Sequence, residues 1–349
     1  MRQLLELPLT PPAAPAWPDW LEACRIDDAA LAEAYDHVSM PHRASLKQCM
    51  AFCQAVYGVA AEEQLCARAD SGQGFWRSER SAPAPWTLAV ITPEYDAPAR
   101  LTAALMPAVL ARVPRVALLC ADGMPQQNIR TVLELTGVED SFITTAGQAE
   151  DLIRTLAAAS AGSGAGRLLL LHHGALHPLR ALAAELDIPC MEEAVPPCLG
   201  LLAAADPSMA AAHTATAAEA VPAAPASPQL HSTVGHNEHP HGTEVTLTTL
   251  AEAADIDLDA LAFAHGAAGA HPHPVFCGGK PPRLDACLAA EHALAEAARL
   301  ARLALGPGME ACWLHSALTR NFFRNTSMTA GLCLPDTDFF SGGGYEGAD

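Results

Sequence analysis

Residues 166–187 read GRLLLLHHGALHPLRALAAELD. The four leucines after Arg167 have the pattern of a strand buried on both faces, and a helical pattern opens at His177-Pro178. Between them stand His172, His173 and Gly174. A buried strand that turns within a few residues into an amphipathic helix is half of a βαβ unit, so the fold class depends on whether the pattern repeats.

It repeats on both sides of this stretch. Upstream, WTLAVIT (86–92), RVALLCA (115–121) and DSFITT (140–145) have the character of short buried strands. They alternate with helical patterns at 99–113, 124–138 and 146–164, and IPCMEEAVPPCLGLLAA (188–204) supplies a further strand. The alternation predicts an α/β fold with a parallel sheet flanked by helices. GSGAGR (162–167) precedes a strand instead of following one, so it reads as a helix-to-strand loop and not a dinucleotide fingerprint.

The rest of the chain divides by composition. Residues 1–85 form an amino-terminal segment, Pro-rich to about residue 22, helical from Asp27 to about Ala69, and loop-like over 70–85. Residues 86–205 hold the α/β alternation. Residues 206–243 collapse into Ala, Pro, Thr, Ser and His and read as a linker. Residues 244–349 read as a helical carboxyl-terminal segment with an irregular tail. In it TLAEAADIDLDALA gives two short helices and RLDACLAAEHALAEAARLARLALG (283–306) one long amphipathic helix.

Composition narrows the function. The chain has 349 residues, half of them hydrophobic, enough to bury a sizeable core. Lys and Arg number 20 against 39 Asp and Glu, a formal charge of −19, which argues against nucleic acid and membrane surfaces as partners. No basic start with a long apolar core is present, and no unbroken run of about 18 apolar residues, so the expected location is cytoplasmic. Eleven cysteines without a C-x-x-C pair then read as reduced thiols, with Cys49, Cys53 and Cys66 as small buried side chains.

Two histidine groups could carry chemistry. His172, His173 and His177 follow the carboxyl end of a strand, where open α/β sheets bind ligands. They either contact a ligand or serve the turn. His236, His239 and His241 lie in an imidazole-rich tract that could chelate a metal such as zinc, with Glu238 or Glu244 as a fourth ligand, or simply keep a linker polar.

Residues 45–205 resemble the first nucleotide-binding-type domain of the histidinol dehydrogenase family. The resemblance rests on Ala97-Pro98, Leu105-Met106, Gly137-Val138 and Gly147-Gln148-Ala149, in that order. It implies a Rossmann-like sheet, a nicotinamide cofactor (NAD), zinc, and a homodimer. It places cofactor contacts on Gln148 and on the turn of His172, His173 and Gly174. The chain also departs from the family: the nicotinamide-site tyrosine falls on Ile91 and a glycine pair on Glu94-Tyr95. Beyond Asp206 the metal-binding and catalytic motifs have no counterpart. The departures favour a divergent relative with a degenerate or repurposed cofactor pocket that binds a small-molecule ligand without standard catalysis. Two other readings stand beside it. One is an active NAD-dependent oxidoreductase acting on an amino alcohol. The other is a metal-binding protein working through residues 231–273.

Overall fold

The computed structural model describes residues 14–60, 64–70, 75–172, 174–195, 197–202, 247–269, 272–274 and 284–332. The 206–243 segment, His173, the histidines at 236, 239 and 241, and the tail beyond Leu332 lie outside the described residues.

Among the described residues three helices come first: α1 (Asp19–Glu22), α2 (Asp28–His37) and α3 (Met40–Tyr57). The Asp27 side chain caps α2 and Ser39 caps α3. Gly58, at φ +61°, ends α3. Residues expected to continue this helix and then form a loop instead make an antiparallel hairpin, β1 (Gln64–Asp70) and β2 (Phe75–Pro83). The far end of the chain completes it: β12 (Arg324–Leu332) pairs with β2, a partnership between segments some 240 positions apart that no local pattern announces.

The α/β part follows the expected alternation closely. It runs β3 (Thr87–Ile91), α4 (Pro98–Leu110), β4 (Val116–Ala121), α5 (Gln127–Thr136), β5 (Asp140–Thr144), α6 (Ala146–Ala159), β6 (Arg167–Leu171), α7 (His177–Glu185) and β7 (Cys190–Glu193). All five strands are parallel in the order β5-β4-β3-β6-β7, the Rossmann-like arrangement in which the chain changes direction between β3 and β6. Every residue of β3 and β6 is buried, which is why these strands read as apolar runs without alternation.

The segment expected to give one further strand gives two: β7 in the first sheet and β8 (Leu199–Leu202) in a second. Helices α8 (Leu247–Ala254) and α9 (Leu258–Gly269) follow, as the sequence predicts. Residues 283–306, expected as a single helix, divide into β10 (Leu284–Ala289), α10 (Leu294–Leu300) and β11 (Ala301–Leu305). With the two-residue β9 (His273–Pro274) they form a parallel sheet in the order β11-β10-β8-β9. The alanines suggest a helix, but Ala286 and Leu288 enter one apolar cluster while Cys287 and Ala289 enter another on the opposite face. Burial with period two overrides helical propensity.

Helix α4 lies between the two sheets and is buried nearly all round. Leu101, Ala104, Leu105 and Ala108 pack on the first sheet, while Ala99, Ala103, Met106 and Leu110 pack against β8, α3, α8 and α9. A helix apolar on every side requires such a position. Cys49 and Cys53 are buried in the second of these cores, but Cys66 on β1 is exposed, contrary to its reading as a buried thiol. Among the described residues no helix is long and apolar enough to cross a membrane.

Candidate functional site

The carboxyl ends of β3, β6 and β7 lie side by side, with Ile91 opposite Leu171 and Leu171 opposite Glu193. The next residue of β6, His172, donates its backbone N–H to the Glu193 carbonyl at 3.0 Å. Strand β7 ends in two consecutive glutamates, and successive strand residues point to opposite faces. Glu192 and Glu193 therefore organise two different polar clusters.

Around Glu192 stand His172, His177 and Arg180. The buried His172 ring accepts hydrogen bonds at Nδ1 from the backbone N–H groups of Gly174 (2.7 Å) and Leu176 (3.3 Å). With Nδ1 an acceptor, the ring proton sits on Nε2 and is donated to Glu192 Oε1 at 3.1 Å. His177, at the start of α7, donates from Nδ1 to the same oxygen at 2.7 Å, and Arg180 Nη1 reaches Oε2 at 3.1 Å. Burial alone would push the Glu192 carboxyl up, but the two histidine hydrogen bonds and the Arg180 charge hold it below its ordinary value.

This donor set does not fit zinc. His172 Nε2 carries its proton, and moving that proton to Nδ1 would set it against two backbone N–H groups. His172 is a fastener of the β6–α7 turn, where Gly174 at φ +103° faces open space. His177 differs: its side chain is 60% exposed, its Nδ1–H is committed to Glu192, and its Nε2 has no partner among the described residues. It is the ring in this turn that a ligand can reach. Replacing His172 by Phe leaves two amides without an acceptor and should cost about 1–3 kcal/mol in urea unfolding. His177→Ala should change stability by less than about 0.5 kcal/mol. Equal losses would mean that the two rings act as one clamp.

On the opposite face Glu193 meets Arg100 of α4. Arg100 Nη1 lies 3.4 Å from Glu193 Oε1, and the Tyr95 hydroxyl donates to the same oxygen at 3.5 Å. His315 Nδ1 lies 3.4 Å from Oε2, while its Nε2–H is donated to the Arg100 carbonyl at 2.8 Å. Arg100 Nη2 donates to the His265 carbonyl at 3.3 Å, and His265 donates from Nε2 to the Glu310 carbonyl at 2.9 Å. Burial pushes the Tyr95 hydroxyl well up, with Glu193 adding to it. Burial lowers His315, which Glu193 partly counters, and takes His265 down to about 3. His265 and Tyr95 are therefore neutral at physiological pH. Beside this cluster a cleft of about 360 Å³, lined by Glu192, Glu193, Asp285, Arg302, Trp313 and His315, opens between β7 and the start of β10 and β11.

A dinucleotide needs the helix amino terminus after β3 to be open to its diphosphate. In this chain Tyr95, Ala97, Ala99 and Arg100 are all fully buried. Helix α9 crosses the same turn so closely that a Cβ on Gly266 (φ +70°) would lie 1.9 Å from Asp96 Oδ1. Gln126 and Asn128 side chains donate to the Pro93 and Asp96 carbonyls and tie the turn down from the other side. Glu94, exposed on the same turn, adds negative charge where phosphate would sit. These residues do not fit NAD. Gln148 serves helix α6 instead. Its Oε1 accepts from Thr145 N–H at 2.9 Å and its own N–H is donated to Thr145 Oγ1, a reciprocal cap on that helix.

Of the residues named from sequence, the structure brings His172, Gly174 and His177 together and sets Gln148 in a helix cap apart from them. Arg100, Glu192, Glu193, His265 and His315 were missed. One signal was present: Arg100 is the only charged residue in PARLTAALMPAVL, and a charge in an otherwise apolar helix requires a buried partner.

No protein-family model and no curated protein matches the chain. Among solved structures it is similar to histidinol dehydrogenase from Elizabethkingia anophelis, at 12% identity and TM-score 0.49, over 88% of this chain and 77% of that one. It is also similar to PutA from Anabaena variabilis, assigned as an aldehyde dehydrogenase, at 12% identity and TM-score 0.41, over 89% and 85%. Each is a similarity of chain path only.

Proposed function

We propose that the protein is a divergent, histidinol-dehydrogenase-like α/β protein. Its nicotinamide pocket has become a buried charged cluster, and the cleft beside β7 binds a small molecule without NAD-linked catalysis. The observation that carries this reading is the closed turn after β3, where Tyr95 and Arg100 are fully buried and α9 lies across the place of a diphosphate. The ligand's contacts fall to groups that line the cleft and to the exposed ring beside Glu192. Arg302 offers a cation and Trp313 an apolar wall, while His177, outside the cleft lining, offers an oriented imidazole on the Glu192 side. The Glu192 carboxylate keeps the His177 ring in one tautomer, which makes its Nε2 an acceptor for a ligand N–H or O–H.

Calorimetric titration of the full chain with NAD tests the proposal directly. No heat of binding is expected up to millimolar cofactor. Saturable binding with a dissociation constant below about 1 mM would overturn it.

A further inference from the structure

The glycine-rich stretch GSGAGR (162–167) joins α6 to β6 at the amino end of that strand, as its place in the sequence predicts. This is the end of β6 opposite to His172 and the β7 cleft. Here the loop faces β12, and a hollow of about 580 Å³ lies between them. Arg80 from β2, Ser163 and Gly164 from the loop, and Asn325, Thr326 and Ser327 from β12 line it. No carboxylate does, in a chain with 39 acidic residues against 20 basic ones. The β7 cleft, by contrast, is lined by Glu192, Glu193 and Asp285.

Behind this wall stands a cation without a counter-charge. Arg167 is 4% exposed and donates to the carbonyls of Phe322, Ala165, Gly166 and Arg324. It also donates to Asn325 Oδ1 at 3.0 Å, and every one of these acceptors is neutral. Burial lowers the guanidinium only to about 10, so it stays charged at physiological pH. A buried cation met by dipoles alone leaves a positive potential at the adjoining surface, and Asn325, which Arg167 grips, is part of the hollow's wall. Asn325 Nδ2 in turn donates to the Ala165 carbonyl at 3.0 Å and fixes β12 against the loop. Gly164, at φ +92°, has no room for a Cβ beside that amide. The Gly162 and Gly164 N–H groups have no acceptor among the described residues. Ala84 N–H is donated to the Phe323 carbonyl at 2.8 Å, so antiparallel alternation turns the Thr326 N–H away from β2, toward the loop side. Helix α6 ends nearby, but the carbonyls of Leu156, Ala157, Ala158 and Ser160 already accept from N–H groups of its last turn, which mutes its adverse dipole. Backbone N–H groups, hydroxyls and a guanidinium on two sides of a hollow fit a tetrahedral anion better than a planar carboxylate. The charge of −19 argues against a nucleic acid backbone as its source.

We propose that the hollow between the 162–166 loop and β12 binds a phosphate group, held by Arg80, the Ser163 and Thr326 hydroxyls and the loop N–H groups. The site lies at the other end of β6 from the cleft, so it stands apart from the reading of the nicotinamide pocket. Calorimetric titration of the full chain at low ionic strength, with inorganic phosphate and with glycerol phosphate as separate probes, tests it. One saturable site per chain is expected, with millimolar or tighter affinity. The hollow is larger than one phosphate, so glycerol phosphate should bind more tightly; the reverse order would equally support the site and assign it to free phosphate. Arg80→Gln should weaken binding ~10-fold or more and Ser163→Ala about threefold, with the circular dichroism spectrum unchanged. Absence of saturable binding for both probes would overturn the proposal, as would affinities that both variants leave unaltered.

Discussion

Replacing Arg100 with methionine should destabilise the protein by about 3–5 kcal/mol, because it leaves the Glu193 carboxylate buried without its cation. Arg100 is fully buried and stands 3.4 Å from Glu193, whose side chain is 12% exposed. The loss comes mostly from the orphaned charge, so the Arg100→Met, Glu193→Gln double variant should recover more than half of it. Urea unfolding of both variants measures this. A single-variant loss below about 1 kcal/mol would mean that Glu193 is already served by solvent from the cleft. The experiment also bears on function. The Arg100–Glu193 pair joins α4 to β7, and under the proposed function its strength measures how firmly the turn after β3 is held closed.

The second large effect concerns pH. Burial first, and the neighbouring Arg100 charge second, take His265 from an ordinary 6.5 down to about 3. The folded state therefore holds this ring neutral while the unfolded chain protonates it below 6.5. Between these values the unfolded state binds more protons, so stability is fully present above pH 6.5 and falls as the pH drops toward 3. The full window corresponds to about 5 kcal/mol, or about 1.4 kcal/mol per pH unit. His265→Gln can keep a donor for the Glu310 carbonyl and should flatten the slope of stability against pH by up to that amount, relative to wild type. Identical slopes in the two proteins would show that the ring is not held neutral in the fold. Glu192 acts in the same direction at lower pH. Its carboxyl is held below 4.5, so its contribution is present above that value and fades as pH falls through the lowered one.

The Rossmann-like sheet was legible because parallel strands buried on both faces leave unbroken apolar runs, and LLLL at 168–171 with LAVI at 88–91 are such runs. The second sheet was not legible. Its strands are short and alanine-rich, and only their burial between two clusters selects strand over helix at 284–289. The hairpin at 64–83 was missed for a related reason, since its third strand lies at 324–332. At the site, the position of His172 and His177 at a strand's carboxyl end could be read directly. Their roles could not, because each depends on Glu192, fifteen or more residues away, and on which ring nitrogen faces the backbone.

The amino-acid sequence by itself determined the strand–helix alternation, the helix start at Asp27, and the acidic balance, all of which follow from residues close together or from simple counts. Only the tertiary structure decided that the turn after β3 is closed, that His172 fastens a turn while His177 faces outward, and that β12 is an outer strand among the described elements. The first depends on Arg100 meeting Glu193 and α9 crossing Asp96, the second on Glu192 of β7, and the third on β12 returning to β2. Such contacts join distant segments, and their energies come from burial and pairing that no local pattern encodes.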